Sequence, residues 1–272
     1  MTPAGEYWFK ASDDILGRMS VAVSEYQKTF RQSSVVLRLG ATPVLRGRFT
    51  AAAARIARSA PGFSKFELVS DVNPASSVEQ VRMHQINFAI VFEESIQDDQ
   101  ISFAVSRLFE DQMAWAIPAS VSQDDIRAAL NTTDHPAKTH PILTSYVELD
   151  PLVPAHTASD AWYRYYMPYA TPSFSTQTFF ASIDLMASEL GTCHVPISLL
   201  PNLNRSLLNE VKLHRVDGMN KVIVLAMRKN LLTLPACAHF FTELSAYCRN
   251  EYQQTIRENL IPVSETCCNL SR

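Results

Sequence analysis

The hydrophobic positions of this chain change period several times, and each change marks an element. Val35, Val36, Leu37 and Leu39 form an apolar run of strand length, stopped by Gly40-Ala41-Thr42-Pro43. Leu45, Phe49, Ala52, Ala53, Ile56 and Ala60 then recur at helical spacing until Pro61-Gly62. The spacing predicts a helix over Val44 to Ala60, with Thr42 as N-cap and Pro43 in the first helical position, where a missing N–H does no harm. The form repeats: FELVSDV reads as a strand, NPASSVEQVRMHQ as a helix and INFAIVF as a strand. Such a βαβαβ run predicts a parallel sheet whose ligand crevice lies beyond the carboxyl ends of its strands.

Ahead of this run, Tyr7 to Arg31 contains no proline. Phe9, Leu16, Met19, Val23, Tyr26 and Phe30, with Ser12 filling a gap, fall at alternating three- and four-residue steps, the seam of a coiled coil. A helix of this kind either lies on its own domain or pairs with a second chain, and spacing admits both. Further on, SQDDIRAALN predicts a short helix capped by Ser122, TTDHPAKTHP a loop and ILTSYVEL a strand. AWYRYYMPYA places five aromatics between Trp162 and Tyr169, which form either a stacking platform for an aromatic ligand or the packing face of a helix. Phe179, Phe180, Ile183, Met186, Ala187 and Leu190 predict a helix stopped at Gly191, and Cys193-His194-Val195 a short strand. A helix within Pro201 to Val211, a strand over Lys221 to Lys229 and a covering helix over Leu234 to Tyr252 complete the pattern.

LRLGATP, SDVNPASSVEQV, INFAIVF and LMASELGTCHVP, in that order and spacing, resemble the effector-binding domain of LysR-type transcriptional regulators, and the similarity extends to about Asn250. The resemblance implies an α/β fold with two subdomains of the periplasmic-binding-protein type II kind, preceded by a long N-terminal helix, with a small-molecule effector held between the subdomains. Residues 1–32 would then be a linker and dimerisation helix, 33–118 the first part of subdomain I, 119–218 subdomain II, 219–254 the return to subdomain I and 255–272 a polar tail. Pro118 marks the expected first crossover. MTPAGE followed by a long helix is similar to the junction where the family's winged helix-turn-helix gives way to its linker. This implies a homodimer or homotetramer that meets DNA only through an N-terminal head outside this sequence. Three positions depart from the family pattern: Asn87 stands where an Asp is common, His84 where a Gly usually turns the chain, and Glu189 replaces the first of two glycines. An unpaired buried carboxylate is costly, so Glu189 is expected to face solvent or to be paired.

Composition narrows the function classes. With 272 residues, 47% of them hydrophobic, the chain has room for two domain-sized units and a sizeable core. No 18-residue uncharged apolar run and no basic-then-apolar N-terminus is present, so neither a membrane span nor a secretory signal is predicted, and the cytoplasm is the expected compartment. Five cysteines without paired CxxC spacing read as buried thiols of a reducing compartment. A net charge of -3 argues against nucleic-acid binding by this chain alone, and Arg46, Arg48, Arg55 and Arg58 read as a solvated face or a rim where protomers pair. HExxH, GxSxG and GxxxxGK[ST] motifs are absent, and the neighbours Cys193 and His194 point to opposite faces of a strand. No catalytic site, metal or cofactor is therefore expected, and the chain reads as a binder. Donors suited to a cleft ligand sit at strand ends and helix N-termini: Thr42 at the first junction; Asn73, Ser76 and Ser77 at the second; Thr144 and Ser145 on ILTSY; and Ser173, Phe174 and Ser175 ahead of the Phe179 helix. They suit a small anionic or aromatic organic molecule. A solute-binding protein of transport type with the same fold is the alternative.

Overall fold

A computed structural model describes residues 2–30, 34–70, 73–99, 101–131 and 140–258. Helix α1 (Pro3–Phe30) leads into the expected βαβαβ run: β1 (Val35–Ala41), α2 (Arg48–Ser59), β2 (Phe63–Ser70), α3 (Pro74–Arg82) and β3 (Phe88–Phe92). β1 pairs in parallel with β2 on one side and β3 on the other. Both faces of this sheet are covered, which is why its strands read as near-continuous apolar runs. Phe88 and Ile90 face the core that holds Phe49, Ala53 and Ala57 of α2, whereas Ala89 and Val91 pack with Val78 and Val81 of α3.

The expected start of the first of these helices needs correction. α2 begins at Arg48, with Gly47 (φ 60) at its N-cap, so Thr42 does not cap it. Thr42 instead closes a turn, its carbonyl accepting from Leu45 N at 3.0 Å. The reason is tertiary: Val44 and Leu45 drop into the core as loop residues, and Asn202 Nδ2 donates to the Val44 carbonyl at 2.9 Å.

The second lobe is built from β4 (Phe103–Pro118), α4 (Gln123–Leu130), β5 (Ser145–Leu149), α5 (His156–Tyr166), β6 (Thr171–Thr176), α6 (Phe179–Ala187), β7 (Cys193–Pro196) and α7 (Arg205–Asn209). Ser122 caps α4 as expected, its Oγ accepting from Asp125 N at 3.1 Å. β5 and β6 are parallel, and a bridge between Tyr146 and Thr192 joins them to β7. Gly191 permits that approach, because a Cβ there would lie 2.9 Å from the Ser145 carbonyl oxygen. β8 (Val211–Arg228) returns to the first lobe, where α8 (Pro235–Tyr247), a π turn and α9 (Gln253–Glu258) close the chain. The rest of the expected tail, Cys267 and Cys268 included, lies outside the described residues.

β4 and β8 bind the lobes together. They run antiparallel, the first half of β4 against the second half of β8, in a sheet ordered β2-β1-β3-β8-β4-β7. Between the pairs Gln112–Asn220 and Ala114–Arg215 the register breaks: β4 supplies only Met113, while β8 supplies Val216 to Met219 with Gly218 at φ 77. Beyond this bulge β4 stays paired with β8 on one edge and takes β7 on the other. Pro118, the expected crossover, is the last residue of β4.

Candidate functional site

A cleft of about 400 Å³ opens between the lobes. Its walls are the segments that follow the strands: Thr42 to Val44 after β1, Pro74 after β2, Val153 to Ala155 after β5 and Gln177 to Phe180 after β6. This is the crevice beyond carboxyl strand ends that parallel α/β units provide. The floor is the crossover pair, with Asp111 and Met113 from β4 and Gly218 to Lys221 from β8, at and just after its bulge. Apolar residues dominate the lining, and Ala158 and Ala161 of α5 keep one wall low. At the rim the lobes touch. Arg46, from the loop after β1, lies with its guanidinium carbon 3.2 Å from the ring centre of Phe180 on α6, a cation–π contact across the mouth.

The polar groups of the floor are few. Asp111 accepts hydrogen bonds from Ser198 N at 3.1 Å and from Ser198 Oγ at 2.5 Å, and burial pushes its carboxyl pKa up to about 6. Lys221 is its partner across the β4–β8 register. Its Nζ turns to Glu94 Oε1 at 2.6 Å and lies 5.8 Å from the centre of the Phe92 ring.

Of the residues singled out in the sequence, Thr42 lines this cleft and the others lie elsewhere. Asn73 caps α3, accepting from Ala75 N at 3.0 Å. Ser76 accepts from Gln80 Nε2, and Ser77 is buried under α3 beside Gly40. Thr144 and Ser145 sit at the amino end of β5, away from the crevice; their hydroxyls donate to the carbonyls of Pro141 and Leu190. Ser173, Phe174 and Ser175 form the middle of exposed β6. The strand runs to Thr176, so the junction before α6 is Gln177-Thr178, and Thr178 Oγ1 is the cap, accepting from Ala181 N at 3.3 Å. Asp111, Met219, Phe180 and Lys221 were not picked out as cleft residues. Asp111 lies in the polar run Glu110-Asp111-Gln112 of its strand, so its residue type alone did not set it apart.

The aromatic stretch takes the packing role. Tyr163 stacks on Tyr146 with ring centres 3.9 Å apart, and Trp162 packs on Trp115 at 5.1 Å. Cys193 and His194 are both fully buried. His194 Nδ1 meets Ser159 Oγ at 2.8 Å, and burial lowers its pKa to about 3; burial also pushes the Cys193 thiol up. Such a pair offers neither a thiolate nor an accessible base. Among the described residues no group of His, Cys, Asp and Glu is placed to hold a metal, and no helix is long and apolar enough to cross a membrane.

No family model matches the sequence. No curated protein matches it either. The similarity is in the fold. OxyR of Corynebacterium glutamicum, as its C206 mutant, superposes with a TM-score of 0.58 at 15% identity, covering 95% of this chain and 78% of that one. The effector-binding domain of QuiR in complex with shikimate gives 0.56 at 12% identity, over 80% of this chain and 99% of that one. VV2_1132, a LysR family transcriptional regulator, gives 0.57 at 8% identity, over 90% and 79%. The chain therefore has the two-lobed α/β fold of LysR effector-binding domains, with a helix ahead of it.

Proposed function

We propose that this chain is the linker and effector-binding portion of a LysR-type transcriptional regulator, and that it acts by binding a small organic molecule between its lobes, without catalysing a reaction. The observation that carries this is the cleft. Its volume suits a small-molecule ligand, and it is made by both lobes and the strands that join them. A guest that touches both walls binds one arrangement of the lobes better than another, and only such differential affinity lets a ligand drive a change of pose. The bulge at Met113 and Gly218 is the pivot in this reading, and Arg46 on Phe180 is the contact that closure makes or keeps. Thr42 belongs to the ligand contacts, and the apolar walls favour a guest with an aromatic or aliphatic body.

The three described thiols, Cys193, Cys237 and Cys248, are buried with raised pKa values, which favours a bound molecule over thiol oxidation as the signal. The apolar seam of α1, with Phe9, Leu16, Met19 and Val23 exposed, supports pairing of chains into a dimer or tetramer. DNA would be met by a head outside this sequence, in the cytoplasm. The exposed seam also weighs against a transport-type solute-binding protein.

The test is a thermal-shift screen of small organic molecules, with every hit repeated on Ala158→Trp, which fills the cleft. Hits should raise the melting temperature of the parent chain and lose that gain in the variant. A gain that survives in Ala158→Trp would sink the site assignment.

A further inference from the structure

Asp111 is the feature of the cleft that its apolar walls do not explain. Its carboxylate is bonded by the Ser198 N–H and hydroxyl, both neutral donors, and no cation is paired with it among the described residues. The cation best placed to do so is Lys221, directly opposite in the β4–β8 register, but its ammonium is engaged by Glu94 at 2.6 Å. Arg46 is held on the Phe180 ring at the rim. The floor thus carries one carboxylate, Asp111, and one ammonium, that of Lys221, whose charge is already taken up by Glu94 from outside the lining, beneath walls that are mostly apolar. A charge in such surroundings is costly without a partner, and its carboxyl accordingly holds a proton more tightly than a solvated one. Near neutral pH it is still ionised.

We infer that the cleft selects a guest with an apolar body and one amino or other cationic donor group, that this group pairs with the Asp111 carboxylate, and that carboxylate guests are disfavoured. The inference rests on the cleft being the effector site, as proposed above. An incoming ammonium replaces the missing counter-charge, and the apolar walls cover the rest of the molecule. An incoming carboxylate would face Asp111 in a water-poor space and would bind only with uptake of a proton or with Lys221 withdrawn from Glu94. The bonds from Ser198 fix the carboxylate of this lining residue before any ligand arrives.

The experiment compares three probes of similar size on the intact chain at neutral pH: 2-phenylethylamine, 2-phenylethanol and 3-phenylpropionate. Binding is read by ligand-observed NMR and calorimetry, with Ala158→Trp as the blocked control. The amine should bind about tenfold or more tightly than either of the others, and Asp111→Asn should bring it down to the level of the alcohol while leaving the alcohol unchanged. Equal or tighter binding of the carboxylate overturns the inference, as does an amine preference that survives Asp111→Asn. Because the head-group comparison needs only the unmutated chain, it decides the matter even if Asp111→Asn does not fold. Binding of the alcohol or the carboxylate that Ala158→Trp abolishes, without an amine preference, removes the charge assignment and keeps the cleft as the ligand site. If none of the three binds at millimolar concentration, the amine selectivity is overturned, while the cleft assignment stands or falls with the thermal-shift screen and its Ala158→Trp control.

Discussion

Asp111 and His194 are buried ionisable groups of opposite type, and they tilt stability against pH in opposite directions. Burial lowers the His194 pKa from 6.5 to about 3. Below pH 6.5 the unfolded chain takes up a proton that the folded one refuses, so stability is lost as pH falls toward 3, by up to about 1.4 kcal/mol per pH unit. Burial raises the Asp111 pKa from 3.8 to about 6. Here the folded chain keeps a proton that the unfolded one gives up above pH 3.8, so stability is lost as pH rises through that window, and the penalty is complete above 6. Between pH 4 and 6 the two slopes oppose each other. Burial lowers the His214 pKa as well, so replacing His194 by Gln should reduce the acid-side loss between about pH 6 and 4 and leave the part that His214 carries, measured by urea unfolding across that range. An acid slope unchanged from the parent would mean that His194 does not carry it. At the same scale, His84 and Glu189 stand in the left-handed region, at φ 59 and 60. A side chain there costs roughly 1–2 kcal/mol, part of which glycine gives back as entropy of the unfolded chain. His84→Gly and Glu189→Gly should each stabilise the fold by about 0.5–1 kcal/mol, read as a higher denaturant midpoint; a lower midpoint in both would refute the strain. These two positions stood out in the sequence only through the resemblance, which implies glycine where His84 and Glu189 stand. Glu189 is exposed, as its charge required.

Elements show where legibility ends. The alternation of strand and helix runs was readable because both faces of the first sheet are covered and each helix presents one apolar stripe. Where an element begins was not, wherever burial rather than local chemistry decided it. Thr42-Pro43 has the form of a helix start, yet Val44 and Leu45 gain more by entering the core from a loop. TPSFST has the form of a capping loop, yet it pairs with β5 as an edge strand, which moves the helix junction to Thr178. The strand expected over Lys221 to Lys229 is only the second part of β8, which runs from Val211 through a bulge. The second of these slips moved Ser173, Phe174 and Ser175 from the crevice to the middle of β6. The two glycines of the joining strands make a ranked prediction. At Gly191 an added methyl group meets backbone, the Ser145 carbonyl oxygen at 2.9 Å, and the β5–β7 approach must widen; at Gly218 the space is open and only φ 77 resists. Gly191→Ala should cost roughly 1–3 kcal/mol and Gly218→Ala about 1 kcal/mol. Equal losses in urea unfolding, or the reverse order, would contradict the packing described for β7.

For the whole molecule the open question is what the long helix is for. Tyr7, Trp8, Phe9, Leu16 and Met19 are exposed on α1, Phe9 at 66% and Met19 at 60%, and no α1 residue belongs to the described cores. The side chains of Tyr26 and Phe30 lie outside the described residues. A helix that lay on its own domain would bury one stripe against it, as α2 does with Phe49, Ala53 and Ala57. α1 does the opposite over the described part of its seam, where Phe9, Leu16, Met19 and Val23 are all exposed. Burying a leucine or phenylalanine in a helix pair contributes roughly 1.5–3 kcal/mol, so a seam of this length is enough to hold two chains together. The mass of the chain in sedimentation equilibrium should be that of a dimer or larger, and removal of residues 1–32 should lower it. Leu16→Glu with Met19→Glu, which places two charges on the seam and leaves the lobes untouched, should weaken association by about tenfold or more per lost contact. If the truncated chain keeps the parent mass, the lobes themselves hold the assembly; if the parent is already a monomer, α1 awaits a partner other than its own copy. Either result would reject the pairing of two chains through the α1 seam.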